Sequence, residues 1–123
     1  MYRIIFYEDR NGNSPVRDYT NELATKNDKN SQTKFKSIKY QIQRLEMFGT
    51  RNGEPIVKHI DGEIWELRPS RDRILFAAWI GDSFVLLHQF MKDTQKTPRS
   101  EIEKARRELA DFKERNGENG TRK

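Results

Sequence analysis

Residues 73–80 and 83–90, Arg-Ile-Leu-Phe-Ala-Ala-Trp-Ile and Ser-Phe-Val-Leu-Leu-His-Gln-Phe, are two strand-forming runs joined by Gly81-Asp82. Such a pair reads as a β-hairpin, the glycine supplying the positive φ of a tight turn. If Gly81-Asp82 is a two-residue loop, Trp79, Ala77, Leu75 and Arg73 lie opposite Phe84, Leu86, His88 and Phe90, and these side chains share one sheet face. Ile74, Phe76, Ala78, Val85 and Leu87 take the other. Both faces are largely apolar, so the hairpin needs packing partners on both sides. Arg73, His88 and Phe90 break the apolar pattern together, at one end of one face, and Lys92 follows one strand step beyond. A one-residue slip would scatter that group.

Helices are available to supply the cover. Ser14-Pro15 is a helix start, hydroxyl at the N-cap and proline at the first position, for a helix running to about Ala24. After a polar break at Asn27 to Asn30, Phe35, Ile38, Ile42, Leu45 and Phe48 recur on a 3.6-residue period, and Gly49 is placed to end that second helix. The short link makes the two an antiparallel helical hairpin. A last helix begins beyond Thr97-Pro98, with Ser100 as cap, the Ser100-Glu101-Ile102-Glu103 spacing of a capping box, and Ile102, Ala105, Leu109 and Phe112 as its apolar side. Tyr2 to Tyr7 and Glu63 to Arg68 read as further strands. The order is β-α-α-β-β-β-α, an α+β domain with a mainly antiparallel sheet over residues 1–113, followed by a polar, frayed tail at 114–123.

Composition sets the size of the core. Leu, Ile, Val and Phe are 27 of 123 residues, just above the level of about 20% below which chains stay disordered. With 35% charged residues, the expectation is one modest core under a highly charged surface. There is no cysteine, so disulfides and thiol chemistry are excluded. No apolar run approaches the roughly 18 residues of a membrane span, and the N-terminus lacks the pattern of a signal peptide. A soluble cytoplasmic protein with no membrane association is expected. The 24 basic residues against 19 acidic ones, net +5, suit a polyanionic partner or serve solubility alone.

The candidate chemistry is cationic. His59 and His88 are the only histidines and no ligand spacing accompanies them, so neither a metal nor another cofactor is expected. No Gly-x-Ser-x-Gly and no glycine-rich phosphate loop is present. Arg68 ends one strand, Arg71 and Arg73 bracket the next turn, and Lys92 and Lys96 follow the last strand. Arginine donates two parallel hydrogen bonds to a phosphate, so these groups converging beyond a sheet edge would hold an RNA backbone and stabilise a pentacoordinate phosphorus. Each arginine alone also reads as a solvated strand end. Glu66 shares a face with Arg68, as a general base or as its ion-pair partner. His88 reads either as a hydrogen-bonded core histidine or as a member of the group.

The segments His59-Ile60-Asp61-Gly62-Glu63-Ile64-Trp65-Glu66-Leu67-Arg68, Arg73-Ile74-Leu75-Phe76, Leu86-Leu87-His88-Gln89-Phe90-Met91-Lys92, Thr94-Gln95-Lys96-Thr97-Pro98 and Glu101-Ile102 with Ala105 resemble the phage-derived, RelE-like HigB group of toxins from toxin–antitoxin pairs. The resemblance spans about residues 2–112. It implies a metal-independent mRNA interferase acting on mRNA in the ribosomal A site, through attack of a ribose 2′-OH on the neighbouring phosphate. By match, Arg68, Arg73 and Lys92 stand where RelE-like enzymes carry active-site cations; with Glu66 they form the expected catalytic set, and Arg71, His88 and Lys96 are expected on RNA. Two positions depart from the family: Glu66 stands where better-known RelE members have lysine, and Asp93 where a second lysine usually follows Lys92. The resemblance also implies a helix-turn-helix, HigA-like antitoxin. Arg17, Lys36, Lys39 and Arg44 on the first two helices offer it a cationic docking face; the alternative is a solvated helix pair with the antitoxin lying directly over Arg68, Arg73 and Lys92. ParE-like relatives of the same superfamily instead poison gyrase by binding, and a third possibility is a module that only binds an antitoxin.

Overall fold

The computed structural model describes residues 1–93 and 96–117. Thr94 and Gln95 of the Thr-Gln-Lys-Thr-Pro segment, and residues 118–123 of the expected tail, lie outside the described residues. The elements are β1 (Arg3–Phe6), α1 (Pro15–Thr25), α2 (Lys29–Phe48), a 3₁₀ turn (Gly49–Asn52), β2 (Val57–Asp61), β3 (Ile64–Leu67), β4 (Asp72–Trp79), β5 (Ser83–Met91) and α3 (Arg99–Asn116). This is the expected order with one additional strand, β2. The sheet runs β1-β5-β4-β3-β2; β1 pairs parallel with β5 and every other pairing is antiparallel. Among the described residues, no helix is long and apolar enough to cross a membrane.

Helices cover both sheet faces, as the two-sided hairpin requires. Ala105, Leu109 and Phe112 of α3 pack on Leu75, Ala77, Trp79, Val85 and Leu87. Val16, Leu23, Ile38 and Leu45 of α1 and α2 pack on Ile74, Phe76, Phe84 and Leu86. Each large aliphatic residue so buried contributes roughly 1.5–3 kcal/mol of transfer free energy. The division corrects the sequence expectation: Phe84 and Leu86 lie on the α1–α2 side, Val85 and Leu87 under α3. The turn has three residues, with positive φ at Ile80 and Gly81, so Trp79 faces Ser83 and Phe76 faces Leu86. Leu87 is then a bulge, and beyond it Leu75 faces His88 and Arg73 faces Phe90 as expected.

The caps differ from expectation in detail. Ser14 is the N-cap residue of α1, but its hydroxyl donates to the Tyr7 carbonyl (2.7 Å) while its N–H donates to Asp18 Oδ2 (3.0 Å). Asp28 caps α2 by accepting from the Ser31 N–H at 2.9 Å. Gly49 ends α2 with φ 58°; a Cβ there would lie 2.9 Å from the Tyr2 ring, so space and backbone both call for glycine. Pro98, not Ser100, is the N-cap of α3. Its carbonyl accepts from the N–H groups of Glu101 (3.0 Å) and Ile102 (3.3 Å), and the Glu101 side chain turns to His88.

Candidate active site

Alternation along the strands assembles the site. Glu66 faces Leu75 in the β3–β4 ladder, so Glu66, Arg68, Leu75 and Arg73, at two-residue steps, share the α3 face. α3 begins beyond them, leaving this end of the face to polar side chains. Glu66 is fully buried. Its Oε2 accepts the Thr97 hydroxyl at 2.7 Å. Its Oε1 lies 3.6 Å from Arg68 Nε and 3.8 Å from Arg73 Nε, close enough for ion pairing and too far for hydrogen bonds. All three of these atoms are buried without a hydrogen-bond partner.

Both guanidiniums are held in place. Arg73 Nη1 donates to the carbonyls of Ser70 and Asp72, each at 2.8 Å. Arg68 Nη1 lies 3.6 Å from Glu54 Oε1. No hydrogen bond with a described residue engages Nη2 of either arginine. Burial lowers the Arg73 pKa and Arg68 adds to the effect, while Glu66 opposes it. Lys92, whose N–H donates to the Arg71 carbonyl at 3.0 Å, also has its pKa lowered. Burial is the main cause, Arg73, Arg68 and Lys58 push the same way, and Glu66 pulls back. One carboxylate thus sits among Arg68, Arg73, Lys92 and Lys58. That excess of cations can take up an anion, and the lowered Lys92 ammonium gives up a proton more readily than an ordinary lysine.

The other candidates occupy several settings. Arg71 is exposed in the β3–β4 turn, and Lys96 is exposed ahead of α3. His88 does not join the cations. It is 1% exposed, with Nδ1 2.6 Å from Glu108 Oε1 and Nε2 2.8 Å from Glu101 Oε1. The bulge at Leu87 turns it onto α3, where it bridges Glu101 and Glu108. Arg17 pairs with Glu8 at 3.1 Å. Arg44 is committed to Asn52 (3.0 Å) and lies over the Phe48 ring. Lys36 and Lys39 are exposed on α2, Lys39 beside a groove of about 280 Å³ lined by Phe6, Phe35 and Ile42.

Sequence reasoning assigns no role to Thr97 or Lys58. Thr97 is visible in the Thr-Gln-Lys-Thr-Pro segment, but its bond to Glu66 spans 31 positions. Lys58 faces Glu66 from β2, the strand that was not expected. Among the described residues no group of three or more His, Asp or Glu could hold a metal ion.

No curated protein matches the chain. Residues 25–110, well over half of it, match the family described as phage-derived protein Gp49-like (DUF891). With its small α+β domain, the chain belongs to this phage-derived Gp49-like family.

Proposed function

We propose that this protein is the toxin of a type II toxin–antitoxin pair, a HigB-like, ribosome-dependent mRNA endoribonuclease. One observation carries the reading: two arginines gathered on one buried glutamate, 3.6 and 3.8 Å from its Oε1, with Lys92 in the same field. Cations crowded at a partly desolvated sheet end are a local cost to folding, and such costs concentrate at functional sites. The architecture is consistent with a RelE/ParE-like toxin domain, which supports the reading.

In this mechanism Arg68 and Arg73 bind the scissile phosphate and neutralise the charge that builds on the phosphorane. The 2′-oxygen loses its proton to solvent hydroxide and bonds to phosphorus. The P–O5′ bond breaks, and Lys92 gives its proton to the departing 5′-oxygen, leaving a 2′,3′-cyclic phosphate and a 5′-hydroxyl. Glu66, enclosed by the arginines and Thr97, touches no substrate; it is a positioning residue that aims the two guanidiniums. A small acidic-faced, helix-turn-helix antitoxin is the proposed partner, docking on the exposed lysines of α2.

Arg73→Ala is expected to lower cleavage by about 10²–10³ and to relieve growth arrest in a folded protein. Discrete cuts in mRNA are expected when translating ribosomes are present. If an Arg68→Ala/Arg73→Ala/Lys92→Ala variant still cuts mRNA and arrests growth, the reading is wrong.

A further inference from the structure

A groove of about 670 Å³ opens between β2 and the start of α3, lined among others by Lys58, Ile60, Lys96, Pro98, Arg99 and Ile102. β2 is the last strand of the sheet, so no further strand covers this side. Two groups make the groove continuous with the cationic site. Lys58 faces Glu66 across the β2–β3 ladder, one strand spacing of about 4.8 Å away. Thr97, whose hydroxyl bonds Glu66 at 2.7 Å, also lines the groove.

The groove has a positive balance. Its one carboxylate, Asp61, is taken up by Arg106 at 2.7 Å and Arg99 at 3.7 Å. Lys58 makes no ion pair with any described residue, and its charge is felt at Lys92. Arg99 keeps 73% of its side chain exposed. Between these cations the wall is apolar: Ile102 is buried and Ile60 is half-buried against the α3-side core, and Pro98 also lines the groove. Basic groups interleaved with apolar surface suit a chain of alternating phosphates and bases, and the volume lies within the roughly 300–1,000 Å³ of small-ligand sites.

We propose that this groove is a flanking-nucleotide subsite, in which Lys58 and Arg99 hold the backbone of a single-stranded RNA next to the phosphate bound by Arg68 and Arg73. The subsite rests on the nuclease reading for its purpose, but its affinity for RNA is measurable without cleavage.

The probe is a fluorescent, uncleavable 2′-O-methyl RNA octamer, titrated with the full chain by anisotropy at a series of KCl concentrations. Each phosphate contact on a single strand contributes about 0.7 to the slope of log K against log salt. Lys58→Ala/Arg99→Ala is expected to bind severalfold more weakly and to flatten the slope by about 1.4. Lys29→Ala/Lys104→Ala, two exposed lysines away from the groove, is expected to match wild type. If the alanine pair lowers the melting temperature, Lys58→Gln/Arg99→Gln carries the same comparison. Wild-type affinity and slope in a folded groove variant would overturn the subsite, whatever the cleavage result. A flattened slope in a protein that cuts no mRNA on ribosomes would uphold RNA binding in the groove and overturn the nuclease reading alone.

Discussion

Replacing Glu66 with glutamine keeps the shape of the side chain and a partner for the Thr97 hydroxyl, and removes only the charge. Two guanidinium nitrogens lie 3.6 and 3.8 Å from Oε1. At an effective dielectric constant near 20, each attraction is about 4–5 kcal/mol before solvation is counted. Several kcal/mol of carboxylate desolvation oppose that gain in the wild type. Arg68 and Arg73 keep 21% and 12% of their side chains exposed, so water recovers part of what they lose. A net destabilisation of about 2–3 kcal/mol follows, or roughly 10 °C in melting temperature for a domain of this size. RNA binding should respond in the opposite direction, because the site loses its buried negative charge while cleavage suffers from arginines no longer aimed. Circular dichroism melts, octamer anisotropy and ribosome-programmed cleavage measure the three effects. A melting temperature within about 2 °C of wild type, together with unchanged RNA affinity, would refute the idea that this carboxylate anchors the arginines.

Three further outcomes are expected. Arg115 and the Tyr7 hydroxyl hold the Asp111 pKa down to about 2 from 3.8. A depressed folded-state pKa gives stability that is full above the ordinary carboxylate range and is lost as pH falls through the folded value; the urea midpoints of wild type and Asp111→Asn should therefore differ at pH 7 and converge between about pH 4 and pH 2. His88→Phe leaves Glu108 and Glu101 without their shared partner and should cost about 2–3 kcal/mol in urea unfolding, with RNA affinity unchanged; a selective loss of RNA binding would return His88 to the site. Lys36→Glu/Lys39→Glu should slow association with the cognate antitoxin and weaken the salt dependence of its on-rate, and an unchanged on-rate in stopped-flow measurements would move the docking face elsewhere.

Helices and their buried faces were legible because a stripe such as Phe35, Ile38, Ile42 and Leu45 keeps a 3.6-residue period that no strand can place on one face. β2 was not legible: Val-Lys-His-Ile-Asp alternates only partly, and at an edge its strand character comes from pairing with β3. Arg68 and Arg73 could be placed together because one turn separates them and both fall in phase on one face. His88 needed more than its own strand, since its environment is made by Glu101 and Glu108, 13 and 20 residues away. For Glu66 the sequence allows a base and an ion-pair partner alike, and its contact with Thr97, 31 positions away, is one that no local pattern displays.

The β4–β5 hairpin carries two irregularities of equal size and opposite effect. Adding Ile80 to the turn shifts the ladder by one residue, and doubling Leu87 against the partner strand shifts it back. The pair acts as a compensated frameshift confined to four rungs. Inside it, the Phe84 ring lies 5.1 Å from that of Tyr2 and 5.5 Å from that of Phe76, while the smaller Val85 belongs to the α3-side cluster with Trp79 and Phe112. Outside it, Arg73 and Phe90 are paired as an uninterrupted two-residue hairpin would pair them. The turn and the packing under it can therefore drift through evolution by one residue, provided turn and bulge change together, without moving the arginine at the far end of the strand.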